Sequence, residues 1–245
     1  MTPGSKHRTE QEPKQEKPSL VKKLKKLGST LALKADLLQT HKNQGSRKHV
    51  QRLYNIFAPL YDLVWPSMKD YRACACHVLD QSAHAGHRIL DVGTGTGILA
   101  LQAADRGLPV VGFDLHPKML AQTHKKAVKA SKKNPQVTEQ LRLCQGDATI
   151  LPFREGAFDV VMSGFMLVHL SREQRISAVR EMRRVLRPQG QVVLLESRGE
   201  LTKRYDTKEQ WERILRDLDL VEARFDDIYD VYRVIFARKP STNGH

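Results

Sequence analysis

The sequence predicts a doubly wound α/β domain, a mostly parallel seven-stranded sheet that finishes in an antiparallel hairpin. Three observations predict it. From residue 88 onward, short apolar runs alternate with longer helical periodicities, as strands joined by crossover helices do. The first run empties into "ILDVGTGTGILA", a turn with Gly93, Gly95 and Gly97 in alternate positions. The last two runs are separated by so few residues that they must pair antiparallel.

The elements follow in order. Strands are expected at 88–92, 109–114, 141–145, 158–163 and 191–196, each apolar on both faces, as a helix-covered parallel sheet requires. Helices are expected from about Ile98, over 117–133 with Pro117 in the first turn, over 172–186 and around 208–217. "LVEARFDDIYD" and "VYRVIFARKP" supply the hairpin. Ahead of the first strand, "KHVQRLYNIFAPLYDLVW" reads as helical up to Pro59, and "MKDYRACACHVLDQSA" as a second helix.

The ends differ in character. Residues 1–18 are Lys, Glu, Pro and Gln with almost nothing apolar, and are expected to be disordered. Residues 19–47 hold a basic amphipathic helix and a linker. Leu20, Leu24, Leu27, Leu31, Ala35 and Leu38 form one stripe, and Lys22, Lys23, Lys25, Lys26 and Lys34 occupy other faces. The folded domain spans 48–240, followed by a short tail at 241–245. Residues 1–49 carry twelve Lys/Arg against four acids, so +8 of the net +14 belongs to this segment.

Composition excludes several classes. Cys74, Cys76 and Cys144 form no disulfide framework, and Cys74-x-Cys76 lacks the two-residue gap of a zinc knuckle, so no metal is expected. No run approaches the ~20 apolar residues of a spanning helix. A cytoplasmic location is expected, with peripheral attachment at the inner face of a membrane as its extension.

The glycine turn calls for a ligand lying against bare backbone. A P-loop would need Lys-Ser/Thr after the last glycine, and here Ile98 and Leu99 follow. A dinucleotide site has G-x-G-x-x-G, whereas these glycines run G-x-G-x-G. Asp91, two residues ahead of Gly93, would repel a pyrophosphate and suits a cationic ligand. S-adenosylmethionine carries a sulfonium and an ammonium and no phosphate. Asp114 ends the second strand, 21 residues past Gly93, where a carboxylate can accept both ribose hydroxyls. Asp147 lies past the third strand, placed to accept from an adenine amino group, with Leu115, Met119 and Ile150 as apolar neighbours.

The chain here resembles the class I S-adenosylmethionine-dependent methyltransferases, Rossmann-like proteins, over roughly 48–240. "ILDVGTGTG", "VVGFDLHPKML", "LCQGDATILPFREGAFDVVMSG" and "EMRRVLRPQGQVVLLE" match the family's successive strand motifs, with Pro188 and Gly190 turning the chain in the last. "YNIFAPLYDLVW" resembles the Phe/Tyr-x-x-x-Ala-x-x-Tyr-Asp element of the ubiquinone/menaquinone C-methyltransferases and bacterial phospholipid N-methyltransferases, through Tyr54, Ala58, Tyr61 and Asp62. The resemblance implies S-adenosyl-L-methionine as cofactor. It implies contacts from Tyr61, Asp91, Gly93, Thr94, Gly95, Gly97, Asp114, Leu115, Met119, Asp147, Ala148 and Ser163.

The methyl acceptor is less defined. An Asn/Asp-Pro-Pro-aromatic motif of nucleic-acid amine methylation is absent from "VVMSGFMLVHL", and none of the three cysteines lies there as a nucleophile for cytosine C5. Phe165, Met166 and His169 suggest an apolar wall with one titratable group. His169 is the candidate base, with Tyr61 as a second catalytic candidate; a helix-start or core histidine is the alternative. The quinone enzymes' Gly-x-Arg-Asn is replaced here by Met166-Leu167-Val168-His169, which leaves quinone precursors, phospholipid amines and other metabolites open. The expected function is methyl transfer to a small-molecule or lipid-like acceptor. The stripe at 19–38 can contact an anionic membrane, bind RNA or pack on its own domain. An RNA methyltransferase tethered by that segment, and a non-catalytic assembly factor on the same fold, are the rival functions.

Overall fold

A computed structural model describes residues 68–197, 206–228 and 232–241. The predicted disordered tail, the leucine stripe at 19–38, the Tyr54–Tyr61 element and most of the tail at 241–245 lie outside the described residues.

The chain enters through α1 (Met68–Ser82). The core then alternates β1 (Ile89–Val92), α2 (Ile98–Asp105), β2 (Val110–Asp114), α3 (Pro117–Ser131), α4 (Gln136–Gln140) and β3 (Leu141–Gln145). β4 (Phe158–Gly164), a 3-10 turn (Leu167–His169), α5 (Arg172–Val185), β5 (Leu186–Ser197), α6 (Lys208–Asp217), β6 (Val221–Ile228) and β7 (Tyr232–Arg238) complete it. The sheet runs β3-β2-β1-β4-β5-β7-β6, parallel through β5 and antiparallel for β7 and β6. This is the seven-stranded sheet and terminal hairpin expected from the sequence.

Two apolar layers sandwich the sheet. Ile89, Val160, Met162, Val193 and Leu195 face α1 and α2, against Cys74, Val78, Ala100 and Ala103. Leu90, Val92, Val161, Val192 and Leu194 face α5 and α6, against Val179, Met182, Trp211 and Leu215. Burial on both faces explains why the central strands lack alternation. The rule fails at the edges. β3 has one buried residue and β6 none, because each has a neighbour on one side only.

Capping boxes start two helices: Ser171 with Gln174 for α5 and Thr207 with Gln210 for α6. The short α4 and the 3-10 turn were not predicted; both are below the length at which periodicity is legible. The turn assigned to Pro188 and Gly190 is a bulge inside β5, where pairing jumps from Phe158 with Leu186 to Val160 with Gln191. Gln189 supplies the left-handed residue, at φ +65.

Candidate functional site

Strand order reverses between β1 and β4. In open α/β sheets that switch point leaves a crevice at the carboxyl ends of the strands. A cavity of about 1030 Å³, its open mouth included, occupies this position. One half is walled by the β1–β3 loops and the other by α1 and the segment after β4.

The glycine loop forms the floor of the first half. Gly93, Gly95 and Gly97 all take positive φ, which makes glycine necessary there. Gly93 and Thr94 donate their amides to Phe113 O at 2.7 and 3.0 Å, and Gly97 donates to Thr94 O at 2.8 Å. The Gly95 amide goes to Asp114 Oδ2 at 2.8 Å. Four of the five amides from Gly93 to Gly97 are thus spent inside the protein. A phosphate cradle needs convergent free amides. This loop presents bare backbone to the cavity, with most of its amides already engaged within the protein.

Asp114 also accepts from the His116 amide through Oδ1, at 2.8 Å. Each oxygen retains a lone pair, and the carboxylate borders the cavity. Burial pushes its pKa up to about 6, against the pull of the His116, Gly95 and Leu115 amides. Further round, Asp147 takes the Thr149 amide and hydroxyl on Oδ1 at 2.9 and 2.8 Å. Phe113, Leu115, Met119, Ala148 and Asp147 line the cavity together with Asp114.

Of the residues predicted to contact a cofactor, Gly93, Thr94, Gly95, Asp114, Leu115, Met119, Asp147 and Ala148 line this cavity. Asp91, Gly97 and Ser163 are not among its lining residues. Asp91 sits beneath the loop, where Oδ2 accepts from Thr94 Oγ1 at 2.7 Å and from the Ala100 amide at 3.1 Å. It ties the loop to the first turn of α2, and desolvation raises its pKa to about 7. Gly97 caps α2, and a Cβ there would come within 2.5 Å of Thr123. Ser163 is buried and donates to Val92 O at 2.8 Å, joining β4 to β1. Ile150 is 73% exposed and is not among the lining residues. Tyr61 lies outside the described residues.

The other half of the cavity is apolar and aromatic. Tyr71, Phe165, Met166, His169, Leu170 and Gln174 supply it. Phe165 holds φ +57, a left-handed conformation that costs a bulky residue ~1–3 kcal/mol. Its amide donates to Leu195 O at 2.9 Å, extending the β4–β5 pairing. Its ring meets Tyr71 edge-on at 4.9 Å and Tyr232 at 5.5 Å. A Cβ on Gly93 would overlap Met166, so the glycine loop touches the opposite wall. Among the described residues, no Lys or Arg lines the cavity.

The sequence reading had Phe165, Met166 and His169 here but not Tyr71, His116 or Gln174. Gln174 was detectable through its capping box, and Tyr71 through the stripe it shares with Cys74, Ala75, Val78 and Leu79 on α1. For His116, which is buried by desolvating contacts that lower its pKa, no sequence signal exists.

Comparison with known proteins now bears on this geometry. Residues 90–194, which hold the loop, both acids and the wall after β4, match the family model described as a methyltransferase domain. Over these residues the chain is similar to that family. The demethylmenaquinone methyltransferase of Deinococcus radiodurans is 33% identical over 166 residues, 62% of this chain and 62% of its own length. The same-named protein of Thermus thermophilus is 40% identical over 114 residues, 46% of this chain and 48% of its own. The chain therefore spans less than two thirds of the length of these curated relatives. Among solved structures, the (4+2)-cyclase SpnF superposes with TM-score 0.68 at 20% identity, over 80% of this chain and 97% of its own. Phosphoethanolamine N-methyltransferase 2 of Haemonchus contortus gives 0.58 at 21% identity, over 69% and 53%, in a complex with phosphomonomethylethanolamine and S-adenosylhomocysteine. These likenesses establish the class I methyltransferase fold. A cyclase and an N-methyltransferase share it, so the fold does not fix the reaction.

Proposed function

We propose that the protein transfers a methyl group from S-adenosylmethionine to a neutral, ring-bearing, lipid-like acceptor of the quinone-precursor class. The observation that carries the first half is the amide account of the glycine loop: bare backbone, an acid at the end of β2, and amides mostly engaged within the protein. S-adenosylmethionine fits this donor set. Asp114 would accept its ribose hydroxyls, Asp147 its adenine amino group, and Leu115 and Met119 would flank the ring. When bound, the sulfonium supplies an electrophilic methyl group.

The protein's own contribution is position. Holding two reactants in line converts a bimolecular step into an effectively unimolecular one, worth up to ~7–11 kcal/mol. The segment after β4 meets the glycine loop at Met166 and lines the same cavity, so an acceptor held against it would lie beside the cofactor position. His169, on that wall, would take a proton from a ring hydroxyl. Among the described residues the lining carries no Lys or Arg, which favours a neutral acceptor over a phosphorylated amine, and the demethylmenaquinone methyltransferase relatives support the same class.

Transfer of labelled methyl from S-adenosylmethionine tests this, with two acceptors side by side: a reduced, short-chain prenyl naphthoquinol lacking the 2-methyl group, and phosphoethanolamine. Label in the naphthoquinol alone is the expected result. Label in phosphoethanolamine would move the acceptor to the amine class.

A further inference from the structure

Outside the cavity, one buried polar cluster is used by nothing described so far. Arg175, on the first turns of α5, is 4% exposed and reaches away from solvent. Its Nε donates to Leu167 O at 3.2 Å and its Nη2 to Leu170 O at 3.4 Å. Its Nη1 forms an ion pair with Asp206, the residue just before the Thr207 cap of α6; the two side chains are 5% and 8% exposed. Glu196, near the end of β5, is buried within electrostatic range of Arg175, and its Oε1 has no hydrogen-bond partner among the described residues.

The two carbonyls that Arg175 holds bracket the 3-10 turn. Between them lie Val168 and His169, and His169 and Leu170 line the cavity. Within the turn, His169 N donates to Met166 O at 3.0 Å and Leu170 N to Leu167 O at 3.1 Å. A single 3-10 turn has poorer hydrogen-bond geometry than an α-helix, so a contact that holds both of its ends from outside helps to set its position. A planar guanidinium can grip two carbonyls and a carboxylate at once, which a lysine ammonium on a flexible stem does not reproduce.

Resting on the methyltransferase reading for its functional meaning, we infer that Arg175 is a positioning residue for the acceptor side of the cavity: it clamps the 167–170 turn from behind, with Asp206 as anchor, and so sets where His169 and Leu170 stand. The clamp acts on the acceptor wall and leaves the glycine loop, on the other side of the cavity, untouched.

The test compares the full chain with Arg175→Lys, which keeps the charge opposite Asp206 and removes the fork. Amide hydrogen exchange at His169 and Leu170 is expected to speed up at least tenfold, with the amides of β1 and of Ala100 unchanged. Calorimetry is expected to give a dissociation constant for S-adenosylhomocysteine within twofold of native. In NMR, that ligand shifts the His169 ring signal of the native protein, and by less than half as much in the variant. Unchanged exchange at His169 and Leu170 would overturn the clamp. Equal acceleration across the sheet would reduce Arg175 to a general stabiliser, and also overturn it. If the native protein binds no S-adenosylhomocysteine, the methyltransferase reading fails, while the exchange comparison still decides the clamp. Should Arg175→Lys not fold, Asp206→Asn keeps the guanidinium and removes its anchor. It should speed exchange at the same two amides about threefold, and no change there would overturn the clamp.

Discussion

The two halves of the cavity are built on different principles. On the β1–β3 side, backbone does the work: glycines at positive φ, amides spent on Phe113 O and Asp114, and carboxylates fixed by neighbouring N–H groups. On the β4–β5 side, side chains make the wall, and a strained Phe165 and an arginine clamp hold it in place. A backbone-built half tolerates almost no substitution and recognises one ligand. A side-chain-built half can change its ligand one residue at a time. Solved structures at about 20% identity share the fold while their names include a cyclase and an N-methyltransferase.

The contrast should break first at Gly93. A Cβ there overlaps Met166 and also forces a non-glycine residue to φ +74. Gly93→Ala is expected to lower affinity for S-adenosylmethionine more than a hundredfold in calorimetry. It should also cost ~1–3 kcal/mol in denaturant unfolding. Asp114→Ala comes next: it frees the Gly95 and His116 amides and removes the acid proposed to hold the ribose. A ten- to hundredfold weaker dissociation constant is expected, with little change in acceptor KM. Phe165→Ala should do the reverse. It strips the ring packed on Tyr71 and Tyr232, so acceptor KM should rise about tenfold while cofactor affinity stays within twofold. If Phe165→Ala weakened the cofactor as much as Asp114→Ala did, the two halves would be one site.

The smallest effect concerns pH. Burial raises Glu196 to about 8, Asp91 to about 7 and Asp114 to about 6. In each case the folded state keeps a proton that the unfolded chain has already released. Stability from these groups is present in full below the ordinary carboxylate range and is lost as pH rises through 6 to 8. Glu196→Gln removes the largest of these liabilities. The variant should match the native protein near pH 5 and melt ~2–4 °C higher near pH 9, for a difference of ~1–2 kcal/mol. An equal shift at both pH values would mean that packing, not ionisation, separates the two.

The same contrast governs what the sequence discloses. Gly93, Gly95, Asp114 and Asp147 were legible because strand ends and glycine spacing fix where backbone-defined residues fall. The hairpin was legible from the length of its connection. Asp91 was legible as important but not in its role. The sequence suggested a ligand contact, and what the fold adds is that Asp91 Oδ2 also accepts from Thr94 and Ala100 beneath the loop. Arg175 was not legible as a site residue, and Tyr71 was legible only as a core-facing position of α1. Their roles depend on which helix faces meet the segment after β4, and that is settled by tertiary packing. Nor could sequence show that Phe165 adopts a left-handed backbone, since nothing in "SGFMLV" demands one.

The most direct test of the central claim is calorimetric titration of S-adenosylmethionine and of NAD into the native chain and into Asp114→Ala. The expected result is saturable binding of S-adenosylmethionine by the native protein, loss of at least tenfold in affinity in the variant, and no heat from NAD. A folded native protein that binds no S-adenosylmethionine, or binds NAD as tightly, would contradict it.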